Sequence, residues 1–272
     1  MTLCLNSFVR KKFSEDASLN ELCINGVRSV SYYSNQKYVT KGIYNSNAEA
    51  VHSIQLFSQS LGFRLDPIAP CAGGVFERFF RWHAVIPPAS FDEPIFSIRR
   101  HNISKVSLDH FDLDLELKSL LSDAIKNTPI VIYGDTGSGK TTFLMSLLNH
   151  YCEQERVIFV EQIPEINLYS SNWVRINSYS KNILNQGGAT LVNMVEHALR
   201  LRPERLVIGE VRKTEMEALM FAMRVGHRPI LWTMHAKNVG DIRNRMNSTL
   251  HQNILAIKLG SKKIQEYHVF EL

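Results

Sequence analysis

Cysteine is scarce and scattered in this chain. Cys4, Cys23, Cys71 and Cys152 form no CxxC pair, which argues against a secreted disulfide framework and against a structural zinc site. A reducing, cytoplasmic setting is expected. No stretch approaches the roughly 18 continuous apolar residues of a membrane span. The start, MTLCLNSFVRKK, lacks the apolar core and small-residue cleavage site of a secretory signal. The ten histidines include no HExxH or comparable metal cluster. No fixed-period repeat, low-complexity tract or basic tract interleaved with aromatics is visible, which disfavours solenoids, long coiled coils and sequence-specific nucleic-acid readers. Neither sign of charge dominates. Thirty-one Lys and Arg against 26 Asp and Glu give a formal charge of +5, compatible with nucleic acid, anionic lipid or nucleotide and selecting none of them.

With 272 residues, of which 44% are apolar, the chain can build one large core or two modest domains. The first hundred residues carry short apolar or alternating runs between turn formers: ELCINGVRSVSYY, QKYVTKGIYNSN, WHAVIPPAS and EPIFSIRR. They predict short strands. Between them, Val51, Ile54, Phe57 and Leu61 recur at helical spacing, with Gly62 placed to end the helix. A small α+β domain and linker are therefore expected over 1–110, the polar stretch 104–115 forming the link. The pattern then changes to apolar strands alternating with longer helices, the signature of a doubly wound α/β domain over 111–272. The runs at 130–133, 157–160 and 206–208 are continuously apolar, as strands covered on both faces must be. The Gly-Gly pairs at Gly73 and Gly187 read as turns.

The strongest chemical signal is GDTGSGKT at 134–141, a GxxxxGK[ST] loop between an apolar strand and the helical run KTTFLMSLLNHY. Its glycines, Gly134, Gly137 and Gly139, let the backbone bend around phosphates. Asp135, Thr136 and Ser138 complete the loop. Amides and the new helix terminus direct partial positive charge at the phosphates. Lys140 is expected to reach the β and γ phosphates of ATP, and the Thr141 hydroxyl to ligate the accompanying Mg2+, with Thr142 a second candidate. Carboxylates at neighbouring strand ends can orient water, accept its proton or hold magnesium through water. Glu161 and Glu165 follow RVIFV, and Glu210 follows RLVIG in the manner of a Walker B element. His235 ends the run PILWTMHA and is placed to sense the γ phosphate, with a structural histidine as the competing reading. That competing reading weighs more heavily on His227.

Four segments in this order resemble the type II and type IV secretion ATPase superfamily, the traffic ATPases: GDTGSGKTT at 134–142, VEQIPEI at 160–166, LRLRPERLVIGEVR at 199–212 and GHRPILWTMHA at 226–236. They are similar to that family's Walker A, acidic box, Walker B and histidine box. LCINGVRSV, GGVFERFFRWHAVIPPAS and SIRR resemble, more loosely, its small amino-terminal domain. The resemblance implies a RecA-like P-loop NTPase domain preceded by a PAS-like α+β domain, with nucleotide between them. It implies that Arg99, with Arg78 as a further contributor and Arg100 competing for the register, approaches the phosphates. Arg200, Arg202 and Arg212 match family arginines that support the acidic site or reach nucleotide across a subunit boundary, and His227 matches a histidine-box position. Departures are visible as well: Gln162 and Glu204 stand where the family carries Asp, Lys213 where it carries Gly, and Val225 where it carries Thr.

What the resemblance implies of function is Mg-dependent ATP hydrolysis by a homo-oligomeric, hexameric ring. Such a ring would dock on inner-membrane secretion or pilus proteins as a cytoplasmic, peripheral component, with no requirement for nucleic acid. The stretch after Met246 is shorter than the helical carboxy-terminal region of many relatives, and no tetracysteine insertion or long amino-terminal extension is present. This points to a compact member on the conjugation branch. Two alternatives stay open: an ATP-binding assembly subunit with slow turnover, and a P-loop nucleic-acid motor.

Overall fold

The structure is a computed structural model that describes residues 4–34, 37–77, 80–100, 106–162, 164, 166, 168–179, 187–227, 229–246 and 250–272. The chain separates into two compact units, Met1–Asn102 and Ile103–Leu272.

The first unit opens with helix α1 (Leu5–Glu15), whose Leu5, Val9 and Phe13 are buried at a spacing of four. Strands β1 (Glu21–Asn25), β2 (Ser29–Tyr33) and β3 (Lys37–Lys41) follow. Helix α2 (Asn47–Ser60) starts where the Ser46 hydroxyl accepts from the Glu49 amide, and buries Ala50, Ile54 and Phe57. Strands β4 (Cys71–Phe76), β5 (Phe80–Val85) and β6 (Ile95–Arg100) complete a six-stranded sheet in the order β3-β2-β1-β6-β5-β4, every pair antiparallel. The inward residues Leu22, Ile24, Trp82, Phe96 and Ile98 form one core with both helices.

Two features of this unit differ from the sequence reading. Helix α1 carried no expectation. The Gly73-Gly74 pair lies inside β4 rather than in a turn, because neighbouring side chains occupy the space of a Cβ. One built on Gly74 would come within 2.5 Å of the Phe63 ring, and one on Gly73 within 2.6 Å of His83 Nδ1.

In the second unit a 3-10 turn at Leu108–Phe111 buries Leu108 and Phe111 in the core. Part of the stretch expected as a polar linker is therefore a packing element, since two well-placed apolar side chains suffice to anchor it. Helix α3 (Leu115–Asn127) is capped by Asp114, which accepts from the Leu117 amide at 2.7 Å. The alternation then runs β7 (Ile130–Gly134), α4 (Lys140–Tyr151), β8 (Val157–Glu161), β9 (Val174–Asn177), α5 (Leu191–Arg200), β10 (Arg205–Val211), α6 (Lys213–Arg224), β11 (Ile230–Met234) and α7 (Val239–Met246). An antiparallel hairpin of β12 (Asn253–Gly260) and β13 (Lys263–Glu271) follows.

The sheet order is β13-β12-β7-β11-β10-β8-β9, and all pairs except β12 with β13 are parallel. Ile130 and Ile132 face one core with Phe143 and Leu147 of α4, while Val131 and Tyr133 face a second core with Val195 of α5, Leu219 of α6 and Ile242 of α7. Both faces are thus covered, which is why alternation is absent from the strand sequences. Each such apolar side chain contributes about 1.5–3 kcal/mol by leaving water. Among the described residues no helix is long and apolar enough to cross a membrane.

Candidate functional site

Because β7, β8, β10, β11 and β12 run parallel, their carboxyl ends share one edge of the sheet, where open α/β sheets place their ligands. β7 is the switch point. The chain leaves it for β8, returns through β10 to β11 on one side, and closes with β12 on the other. The loop 134–139 leaves β7 at this point.

That loop requires its glycines for backbone reasons. Gly134, Gly137 and Gly139 have φ of 143°, 76° and 94°. A Cβ on Gly134 would lie 2.1 Å from the Leu259 carbonyl oxygen of β12. Asp135, Thr136 and Gly137 are exposed, Ser138 is buried, and Thr141 and Thr142 sit half-buried on the first turn of α4. No side chain caps α4, so its opening amides have no acceptor within the helix. The Ser138 Oγ is buried without a hydrogen-bond partner among the described residues.

From the loop a chain of four polar side chains crosses to β11 and β10. Lys140, only 7% exposed, donates to the carbonyls of Gly134 at 3.1 Å and Asp135 at 2.8 Å, and its Nζ is 3.5 Å from His235 Nδ1. His235 Nε2 is 2.9 Å from Glu210 Oε1, and Arg212 Nη2 donates to Glu210 Oε2 at 2.9 Å. With an ammonium facing Nδ1, the tautomer carrying its proton on Nε2 satisfies both neighbours of the ring. Burial pushes the Lys140 amine down, against the charges of Glu210 and Asp135. Burial alone would raise the Glu210 carboxyl, but the Arg212 hydrogen bond and the charges of Arg212 and Lys140 outweigh it and hold the group below the usual carboxylate range.

Glu210 reaches this position through an irregularity in β10. Ile208 pairs with Trp232 and Glu210 with Thr233, so Gly209 is an extra residue that breaks the alternation just before the carboxylate. Thr233 Oγ1 donates to the Gly209 carbonyl at 3.1 Å and fixes the bulge.

Glu161, at the end of β8, is buried and forms a 2.8 Å ion pair with Arg175 of β9. A Cβ on Gly209 would sit 3.4 Å from its Cγ, so the bulge and this second carboxylate are close neighbours. The structure therefore brings together the loop residues, Lys140, Glu210, Arg212 and His235, with Glu161 beside them. It does not bring His227, Arg200 or Arg202 to this edge. His227 precedes β11, and Arg200 and Arg202 precede β10, so all three belong to the opposite end of the sheet. His227 is half-buried there, and burial, with the charge of Arg205, pushes its imidazole below the ordinary value.

In the first unit Arg99 is exposed on β6. Arg100 instead donates to the carbonyls of Phe13 at 2.7 Å and Ala17 at 2.9 Å, and stacks on the Phe13 and Phe80 rings. Arg100 is thus held within the first unit, whereas the Arg99 side chain is exposed. Glu165 and Arg78 lie outside the described residues.

Sequence reasoning missed Arg175, whose strand WVRIN gave no acid-pairing signal, and the β12–β13 turn against the loop. The latter was signalled by GSK between the runs ILAIKL and KIQEYHVF.

An open parallel sheet with a glycine loop at its switch point is the α/β arrangement of RecA-like ATPase domains, and solved structures share the fold. The Legionella pneumophila ATPase DotB matches with a TM-score of 0.65 at 18% identity, over 94% of this chain and 76% of that one. The pilus retraction motor PilT matches with a TM-score of 0.68 at 14% identity, over 99% and 83%.

Residues 84–259 match the family described as Type II/IV secretion system protein. The chain belongs to this type II/IV secretion ATPase superfamily. A protein of Mycobacterium tuberculosis assigned by name to conjugal transfer is 30% identical over 205 residues, 71% of this chain and 58% of its own length. VirB11 of Rhizobium radiobacter is 33% identical over 141 residues, 52% of this chain and 40% of its own. The chain thus spans less than two thirds of the curated relatives it matches.

Proposed function

We propose that this chain is a Mg-dependent ATPase whose 134–141 segment is a P-loop. The observation that supports this best is the continuous chain Lys140–His235–Glu210–Arg212, which joins the glycine loop to a strand-end carboxylate held ionised. Nucleotide and metal suit the donor set: uncapped amides on α4, the buried Ser138 hydroxyl, the Lys140 ammonium and the Thr141 hydroxyl. Mg-ATP supplies the phosphoanhydride to be cleaved and a cation that spreads its charge.

The work of the protein is positioning and electrostatics. Loop amides and Lys140 hold phosphate oxygens. To do so the Lys140 ammonium exchanges the carbonyls of Gly134 and Asp135 for phosphate. Thr141 Oγ1 is the metal ligand, with Thr142 as the neighbouring hydroxyl. The Glu210 carboxylate orients a water molecule and accepts its proton, Arg212 steadies that carboxylate, and His235 links its state to Lys140. Glu161, from its pair with Arg175, would help hold the metal through water. Glu165, outside the described residues, is the remaining acid of this proposal.

The family setting supports a homo-oligomeric, hexameric ring that powers a type IV secretion, conjugation or pilus machine from the cytoplasmic side of the inner membrane. In such a ring Arg200, Arg202 and His227, at the far end of the sheet, are offered to a neighbouring copy. Arg99 and Arg78 are the amino-terminal cations of the reading.

A second reading is an assembly subunit that binds ATP and turns it over slowly. The salt bridge of Arg212 to Glu210 favours it, since a carboxylate engaged by arginine is a weaker base. Magnesium-dependent phosphate release, measured for the wild type and Glu210→Gln across protein concentration, separates the two. Turnover in the wild type and silence in the variant are expected. Background turnover at every concentration with ATP still bound would overturn the enzyme reading in favour of the assembly subunit. Stimulation by single-stranded nucleic acid would point to a nucleic-acid motor.

A further inference from the structure

The glycine loop has a second wall, made by the turn of the β12–β13 hairpin. Ser261 and Lys262 have φ of 50° and 63°, the left-handed pair that closes a two-residue hairpin turn. Because β12 lies parallel to β7 with Leu259 paired to Gly134, the turn emerges at the same sheet edge as the loop. It is hydrogen-bonded to it: the Lys262 amide donates to the Ser138 carbonyl at 3.1 Å. The Lys262 side chain then runs along the loop. A Cβ built on Gly139 would lie 3.6 Å from both Cα and Cγ of Lys262, an ordinary van der Waals distance, so the stem passes directly against this loop glycine.

The charges flanking β7 are divided between its two sides. On the β11 side stand His235 and, one strand further, Glu210. On the β12 side stands Lys262, exposed and with no ion pair among the described residues. Its neighbour Lys258 is already paired with Glu266 at 3.1 Å. If the phosphate to be cleaved sits beside Glu210 and His235, a polyphosphate chain following the loop extends toward the hairpin, and its sugar-side phosphate arrives at Lys262.

We infer that Lys262 is a second cation of the nucleotide site, binding the α-phosphate of nucleoside di- and triphosphates from the hairpin turn. This rests on the nucleotide reading above and adds a residue from outside all four motif segments. An ammonium there serves ADP and ATP equally, since both carry the α-phosphate.

Equilibrium binding of Mg-ADP and Mg-ATP to the full chain tests it, using Lys262→Ala, Lys262→Gly and, as a control on the same turn, Lys263→Ala. Both Lys262 variants are expected to weaken ADP and ATP by one common factor, about 3- to 10-fold at low salt. The gap should narrow as salt is raised. Lys263→Ala should bind as the wild type does. The glycine variant suits the positive φ of the position, so its thermal midpoint should not fall, and any loss of affinity is then not a loss of fold. Unchanged ADP affinity, a loss confined to ATP, or an equal loss in Lys263→Ala would each overturn the assignment. A wild-type chain that binds neither nucleotide would instead overturn the nucleotide reading itself.

Discussion

His235 and Glu210 meet at 2.9 Å across the carboxyl ends of two adjacent parallel strands, with the imidazole carrying its other nitrogen toward Lys140. One side chain thus touches both the carboxylate expected to handle water and the amine expected to hold phosphate.

If the three groups act as a unit, removing any member should cost about as much as removing two. Glu210→Gln and His235→Ala are each expected to lower phosphate release by roughly 10²-fold or more while ATP binding is retained. The double variant should fall little further. Full multiplication of the two single losses in a steady-state assay would show that the residues work independently.

The loop glycines should differ sharply in their tolerance of alanine. At Gly134 a methyl group would lie 2.1 Å from the backbone oxygen of Leu259, at a φ of 143°, and neither strand can retreat from the middle of the sheet. Gly134→Ala is expected to cost about 3 kcal/mol or more. Gly137 has open space around it, so Gly137→Ala should cost only the left-handed backbone penalty, about 1–2 kcal/mol. Urea midpoints of the two variants measure the contrast.

Acid should destabilise the fold through His227. Burial depresses its imidazole from 6.5, so in the window just below 6.5 the unfolded chain binds more protons than the folded one. Stability therefore rises with pH across that window, is fully present above 6.5, and is lost as pH falls toward the depressed folded value. Unfolding free energies at a series of pH values should show this slope, and His227→Gln should flatten it.

Arg205 is 2% exposed at the start of β10 and is held by Glu155 at 2.8 Å and by the Ile125 carbonyl. Arg205→Leu leaves both acceptors without their donor. Glu155 keeps partial access to water, so a loss of about 2–3 kcal/mol in chemical denaturation is expected.

The second unit was legible where the chain repeats a strong pattern. Strands of continuous apolar residues and the helices between them marked β7, β8, β10 and β11, and the motif order placed Lys140, Glu210 and His235 on their ends. What stayed hidden depended on partners distant in sequence. Gly73 and Gly74 look like turn residues until Phe63 and His83 are seen where their side chains would be. Leu108 and Phe111 lie in a polar stretch and gain their meaning only from the helix they pack on. The same holds for Arg175 with Glu161, and for Arg200, Arg202 and His227, whose distance from the loop follows from strand direction.

The pairing of β7 with β12 also sets an order of events during synthesis. Ile130 is made long before Leu255, its neighbour across the sheet, and at about 5–20 residues per second the interval is on the order of ten seconds. Through that time the β12 edge of β7 stays open, and until β11 is made the other edge is open as well; Gly134 and Ser138 lack the backbone groups of Leu259 and Lys262 that brace them. The nascent chain therefore carries an unfinished loop, and its central strand is exposed to mispairing until the hairpin arrives to close it.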